Sequence, residues 1–157
     1  MSEDRHDVAA FLDALRAAES AGADVLNAWV AVCTLDELRG GLRAIAEREA
    51  VHAELIAGRL RDLGASCTAT VNELLRVGAV TRFGSSTLSD EEKLALVLSR
   101  YPDDAAVTRP ITRMMDALDG DPETRELLRL VAEGEVATIA WFRAYQRALG
   151  RRVPLPG

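Results

Sequence analysis

Hydrophobic and small residues recur every three or four positions along most of the chain, with polar residues between them. Over residues 7–33 this spacing forms one narrow apolar stripe on a helix, and residues 34–64 continue with the same period. The stripe of the first segment consists of Val8, Leu12, Leu15, Gly22, Leu26, Trp29 and Cys33. Runs with the two-residue alternation of a strand are missing. The pattern therefore predicts an all-α chain.

Short capping and turn signals divide this pattern into helices. Thr34-Leu-Asp-Glu37 has the composition of a capping box, and Gly64 fits the end of the helix that follows. Asp121 with Pro122 predicts the cap and first turn of a last long helix. We therefore expect two antiparallel helical hairpins, one turning near residue 34 and the other near residue 120.

The segment that joins the two hairpins is less regular. We expect a short helix over 69–77 and a second over 89–100, which begins at the capping box Ser89-Asp-Glu-Glu92. Either Asp103 or Asp104 can cap the next helix, the third long element of the bundle. Pro110 lies inside that helix, where a proline predicts a kink or a break.

An internal repeat supports the two-hairpin plan. A shift of 86 residues places 42–64 on 128–150, with eight of the 23 positions identical. The shift aligns Glu49 with Glu135 and puts Thr138 in the position of a histidine. The second helices of the two hairpins therefore share one pattern, and residues 65–102 form a long crossover containing short helices.

Composition limits the classes of function. The chain has 157 residues and a formal net charge of −6, which argues against broad contact with nucleic acid or an anionic membrane. No apolar run reaches the roughly 20 residues of a membrane span, and the charged start has no apolar signal core. We expect a single helical domain over 1–150, a tail over 151–157, and a cytoplasmic location.

Ionisable side chains interrupt the apolar stripes at one level. Glu19, Glu49, His52 and Glu135 take core-facing positions on three long helices. Burying an unpaired ion costs several kcal/mol, even after the structure relaxes. In the predicted register no lysine or arginine shares this layer, so bound cations are the simplest compensation.

The spacing of these residues suits metal binding. Glu49 and His52 are three residues apart, which aims a carboxylate and an imidazole at one ion. Glu19 and Glu49 lie equally far from the turn near residue 34, so they are level. The same construction in the second hairpin makes Asp104 the carboxylate nearest to Glu135. Four carboxylates would balance the charge of two divalent ions. Two alternatives stay open: Asp104 also fits a helix cap, and Glu49 and His52 could form a buried pair without a metal.

The hairpin, crossover, hairpin plan resembles the ferritin-like superfamily, which includes rubrerythrins and bacterioferritins. The segment Ala46–Glu54 is similar to the Glu-x-x-His helix of that superfamily. The resemblance implies a ferritin-like four-helix bundle with Glu19, Glu49, His52 and Glu135 as di-iron ligands. It also implies a non-haem iron oxidoreductase that reacts with oxygen or peroxide, with manganese or zinc as alternatives to iron.

The chain departs from that family pattern in its second half. Thr138 stands where a second histidine is expected, and the third long helix offers Asp104 near a proline instead of a glutamate. Two metals, one metal and an empty site therefore all stay open. The alternatives are a metal-free bundle that acts as a structural or interaction module, and a small-molecule binder whose pocket is covered by the crossover. We expect a homodimer.

Overall fold

The computed structural model describes residues 3–152 of the protein, and the side chains of residues 6–151. All elements in this part of the chain are α-helices, which confirms the all-α prediction. They are α1 (Glu3–Val32), α2 (Asp36–Asp62), α3 (Glu73–Phe83), α4 (Asp90–Ser99), α5 (Asp104–Ala117) and α6 (Pro122–Arg152). Among the described residues, no helix combines the length and the apolar content that a membrane crossing requires.

The long helices form a bundle of two antiparallel hairpins. A short loop joins α1 to α2, and another joins α5 to α6. α6 packs against α2, α4 and α5, so α4 and α5 in succession fill the third position of the bundle. α3 lies in the crossover and packs on α1. This arrangement confirms the predicted four-helix bundle with a long crossover.

The core consists of two apolar clusters, one toward each end of the bundle. The first contains Leu26, Trp29, Cys33, Leu38, Leu42, Ile45, Ala46, Phe83, Leu94, Ile139 and Phe142. The second contains Ala9, Leu12, Ile56, Leu60, Ile111, Leu118, Leu128 and Val131. On α1, α2 and α6 the residues between the two clusters include the predicted polar positions. The apolar stripes thus bury both ends of the bundle and leave a polar layer between them.

The start of α2 differs from the prediction. Its N-cap is Leu35, which makes no side-chain capping bond. The backbone N–H and the hydroxyl of Thr34 instead donate to Asp90 Oδ2, at 2.9 and 2.8 Å, and Trp29 Nε1 donates to Asp90 Oδ1 at 2.8 Å. The capping box at Thr34 is therefore wrong, because a carboxylate distant in the chain takes the donors of Thr34. Through these hydrogen bonds Asp90 connects α4 to the turn of the first hairpin.

The crossover begins with non-helical chain, and the short helix predicted over 69–77 begins later, at Glu73. Asp13 Oδ2 on α1 accepts from the backbone N–H groups of Thr68 and Ala69, at 2.8 and 2.6 Å. These bonds hold the two residues out of a helix. α3 starts only after Asn72, whose side chain accepts from the backbone N–H of Leu75 at 3.2 Å.

Other capping signals are confirmed. Ser89 and Glu92 form a reciprocal capping box at the start of α4. Asp103, not Asp104, caps α5 by accepting from the backbone N–H of Ala106 at 2.7 Å. Gly64 follows α2 with a φ of +73°, a conformation that glycine adopts at little cost.

The interruption of the third long helix lies before its proline and not at it. α5 runs through Pro110 without a break, and Pro110 is exposed, so its ring does not disturb the core. The chain leaves helical structure between Ser99 and Asp104, where the sequence predicted that one helix ends and the next begins. α6 extends to Arg152, so the helix continues two residues into the predicted tail, and residues 153–157 lie outside the described part.

Candidate metal centre

Three helices bring one carboxylate or imidazole each to the polar layer. Glu19 comes from α1, His52 from α2 and Glu135 from α6. One ligand atom of each lies within 4.8 Å of the ligand atoms of the other two. Glu19 is 6% exposed and His52 2% exposed, so these groups are almost fully removed from water. The sequence prediction that these three side chains meet is consistent with this geometry.

Glu19 and His52 are directly hydrogen-bonded. Glu19 Oε2 lies 3.0 Å from His52 Nδ1, and this bond fixes the orientation of the imidazole ring. Gly134 on α6 leaves the space that the ring occupies, because a Cβ there would lie 2.6 Å from His52 Cε1. A close approach of α6 to α2 therefore depends on this glycine.

Glu49 lies beside this cluster but is not one of the three residues whose ligand atoms lie within 4.8 Å of one another. Its carboxylate turns toward α1, where a Cβ on Gly22 would lie 2.2 Å from Glu49 Oε2. Gly22 therefore provides room for a carboxylate as well as for close packing of two helices. Glu49 is near enough to Glu19 and Glu135 for their charges to act on its pKa.

The carboxyl groups of Glu49 and Glu135 hold their protons more strongly than exposed carboxylates do. Burial raises the pKa of Glu49 to about 8, and the neighbouring carboxylates of Glu135 and Glu19 add to the rise, while Arg48 opposes it. Burial and Glu19 raise the pKa of Glu135 to about 7, against the opposing effects of His52 and Arg48. A cation placed here would replace protons, so its binding would strengthen as pH rises.

Arg48 supplies a positive charge that the sequence reasoning placed outside this layer. Its guanidinium donates to the hydroxyl of Thr138 on α6. Its charge also opposes the rise in the pKa of Glu49 and of Glu135. The prediction that no arginine shares the layer is therefore wrong, because a long side chain just off the stripe reaches back into it.

Asp104 lies outside the cluster. It is exposed in the first turn of α5, next to the cap Asp103, and forms an ion pair with Arg143 of α6. The structure therefore does not bring together the full predicted ligand set: Glu19, His52 and Glu135 meet, Glu49 is adjacent, and Asp104 points to other partners.

Tyr101 takes a place near the layer that the sequence reasoning did not assign. It lies in the interruption between α4 and α5 and is partly buried. Burial raises the pKa of its phenol, and the carboxylates of Glu135, Glu49 and Glu19 add to this effect. A tyrosine followed by Pro102 at a helix end was the available signal, but such a pair does not reveal that its ring faces the core.

The donors fit one divalent ion and not two. Two carboxylates and an imidazole are suitable ligands for Fe(II), Mn(II) or Zn(II), and Glu19, His52 and Glu135 are close enough to share one ion. The corresponding second half has the threonine hydroxyl of Thr138, which the Arg48 guanidinium already contacts. A second dication there would face a fixed positive charge.

Comparison with known families agrees with this geometry. A family model described as a ferritin-like domain matches residues 25–151. The match contains Glu49, His52 and Glu135, whereas Glu19 precedes it. No curated protein and no solved structure gives a significant match to the chain.

Proposed function

Because the chain belongs to the ferritin-like domain family, we propose that it binds a single divalent metal ion, iron above all, between its long helices. The observation that supports this most is the convergence of Glu19, His52 and Glu135 from three helices. Such a group is costly to bury without a cation, and an ion of charge two would balance its two carboxylates.

Each residue of the layer has a distinct role in this proposal. Glu19 and Glu135 supply negative charge and oxygen ligands, and His52 supplies a directional nitrogen. Glu49, with its high pKa, carries a proton at neutral pH and can release it beside the ion. The guanidinium of Arg48 adds positive charge to the layer and takes the place of a second metal ion.

Iron in this position would supply one-electron chemistry with oxygen or peroxide. The carboxylates favour the more highly charged ferric form, and the two apolar clusters on either side keep bulk water away. We therefore propose a non-haem iron oxidoreductase activity, either oxidation of Fe(II) or reaction with peroxide. Manganese and zinc are the competing metals.

The metal-binding part of the proposal can be tested by anaerobic Fe(II) titration with analysis of bound metal. We expect about one equivalent in the parent protein and a large loss in Glu135→Gln. Glu133→Gln is the matched control, because Glu133 lies on the same helix but is exposed and paired with Arg129. Equal iron binding by Glu135→Gln and Glu133→Gln would contradict the proposal.

A second candidate function is a metal-free bundle that serves as a structural or interaction module. Its support is the pairing of Glu19 with His52, together with the nearby charge of Arg48, which partly balances the layer without an ion. It requires that a chelator leave the melting temperature unchanged. Our first proposal requires a fall, because an ion that binds the folded state stabilises it.

Assembly and location stay predictions. A homodimer in the cytoplasm is our proposal, and exposed Val51 and Leu55, one turn apart on α2, are candidate contact residues. Sedimentation of the parent and a Val51→Ser, Leu55→Ser variant would show whether a dimer forms through this face.

A further inference from the structure

A cavity of about 330 Å³ lies beside the polar layer. Residues of α1, α3, α4 and α6 line it, so the crossover forms one of its sides. Aromatic rings of Trp29, Phe83 and Phe142 form part of its wall, and the carboxyl groups of Glu49 and Glu135 border it. The cavity is thus apolar over much of its wall and carries acceptor groups toward the layer.

The interruption between α4 and α5 contributes to this space. Val97, Arg100 and Tyr101 line it from the end of α4 and the residues that follow. Ala18, Ala21 and Gly22 of α1, which have a methyl side chain or none, also line it. Small residues facing a broken helix leave a volume that larger side chains would otherwise fill.

The volume limits the size of an occupant. One water molecule takes about 30 Å³ in the liquid, so the cavity has room for about ten non-hydrogen atoms. Pockets that bind small organic molecules begin at roughly this volume, on the order of 300 Å³. An occupant is therefore a small organic molecule and not a large cofactor.

The charges around the cavity favour a neutral occupant. Much of its wall is apolar, so a charged occupant would lose hydration without gaining an ion-pair partner there. The two carboxyl groups on its inner side offer an anion no such partner, and Arg76 on the outer side already pairs with Asp24 and Glu73. Arg100, exposed on the same side, would repel a cation that enters past it. A hydroxyl group can donate to a carboxylate at no cost in net charge.

We propose that this cavity binds a small neutral molecule with an apolar body and one hydroxyl group, such as a medium-chain alcohol or an alkylphenol. The apolar body packs against Trp29, Phe83 and Phe142, and the hydroxyl donates to Glu49 or Glu135. This site does not depend on a bound metal ion, so its test is separate from that of the metal centre.

The test is calorimetric titration of chelator-treated protein with 1-octanol, octanoate and octylamine, which share one chain length and differ in charge. We expect one saturable octanol site per chain, with binding of both charged analogues weaker by about tenfold or more. Absence of saturable octanol binding would overturn the site. Equal or tighter binding of a charged analogue would overturn the assignment of a neutral ligand.

A matched pair of substitutions on α1 locates the site. Ala21 lines the cavity and Ala14 is exposed on the same helix. Ala21→Phe fills the space and should weaken octanol binding about tenfold, whereas Ala14→Phe should leave it unchanged. If both variants bind octanol as the parent does, octanol binds elsewhere and the proposal fails.

Two further variants keep the test decisive if Ala21→Phe does not fold. Val97→Ala enlarges the cavity and should raise the affinity for 1-decanol relative to 1-octanol. An unchanged ratio would contradict binding in this cavity. Leu75→Ser removes a side chain of α3 that is 74% exposed, and it should not alter octanol binding. A loss of binding there would indicate adsorption to the surface and would overturn the proposal.

Discussion

The two halves of the polar layer have the same backbone plan but different side chains. In the first half α1 and α2 are unbroken, and Glu19 meets His52 in a buried hydrogen bond. In the second half α6 faces a third helix that is interrupted, and Thr138 meets Arg48. The shift of 86 residues that aligns His52 with Thr138 therefore aligns a proposed metal ligand with a residue that contacts a guanidinium. The two hairpins thus keep polar residues at the same height in the bundle, although the types of these residues differ.

The largest effect on metal affinity should come from alanine substitution at these two aligned positions. His52→Ala removes the nitrogen ligand, and we expect metal affinity to fall by about a thousandfold, since even partners outside the ligand shell contribute 10–100-fold. Thr138→Ala should change it by less than about threefold, because this hydroxyl contacts Arg48 and not the three clustered donors. Competition with a metal-sensitive dye measures both constants, and similar losses at the two positions would contradict the asymmetry.

The second expected effect concerns stability and pH in the metal-free protein. The folded-state pKa values of Glu49, about 8, and Glu135, about 7, lie above the ordinary glutamate value of 4.5, which we take as the unfolded reference. The folded state therefore binds more protons across this range. Its free energy of unfolding is highest below the unfolded pKa and falls as pH rises through the folded values.

Between about pH 5.5 and about pH 8 we expect a loss of roughly 5 kcal/mol, about 3 from Glu49 and about 2 from Glu135, measured by urea unfolding after chelation. Glu49→Gln should remove more than half of this dependence, because the amide does not titrate, and should leave the part that comes from Glu135. Glu47→Gln is the control, since Glu47 is exposed on the same helix. A stability that rises over this pH range in the parent would contradict the raised pKa values of Glu49 and Glu135.

A smaller effect is expected from the glycine that admits the His52 ring. Gly134→Ala would place a methyl group 2.6 Å from His52 Cε1, so the ring or α6 must move. We expect about a tenfold loss of metal affinity, or about 1.4 kcal/mol. Gly150→Ala, on the same helix with no atom within 4 Å of its Cβ, should leave affinity unchanged. Unchanged metal affinity in Gly134→Ala would show that the position of the His52 ring does not depend on this glycine.

The sequence predicted the long helices well because their signals are local. Apolar spacing, the capping box at Ser89 and the cap at Asp121 act within one or two turns of helix. Glu19, His52 and Glu135 were also accessible to sequence reasoning, since each interrupts an apolar stripe at a level set by the turns. A charged residue in a core-facing position can be recognised from the sequence alone.

The remaining features depend on partners distant in the chain. Asp13 holds residues 68 and 69 out of a helix, and Asp90 takes the donors of Thr34. Arg48 lies beside the stripe, and only the length of its side chain brings it to Thr138. The interruption around Tyr101 was predicted, but the place of its ring beside the polar layer was not. These contacts follow from tertiary packing, which periodicity does not report.

The most direct test of the account is anomalous diffraction at the iron edge from crystals grown anaerobically with Fe(II). We expect one anomalous peak between Glu19, His52 and Glu135, and no second peak beside Thr138, where the Arg48 guanidinium lies. Two peaks of similar height in the layer, or none among these three side chains, would contradict a single-metal centre.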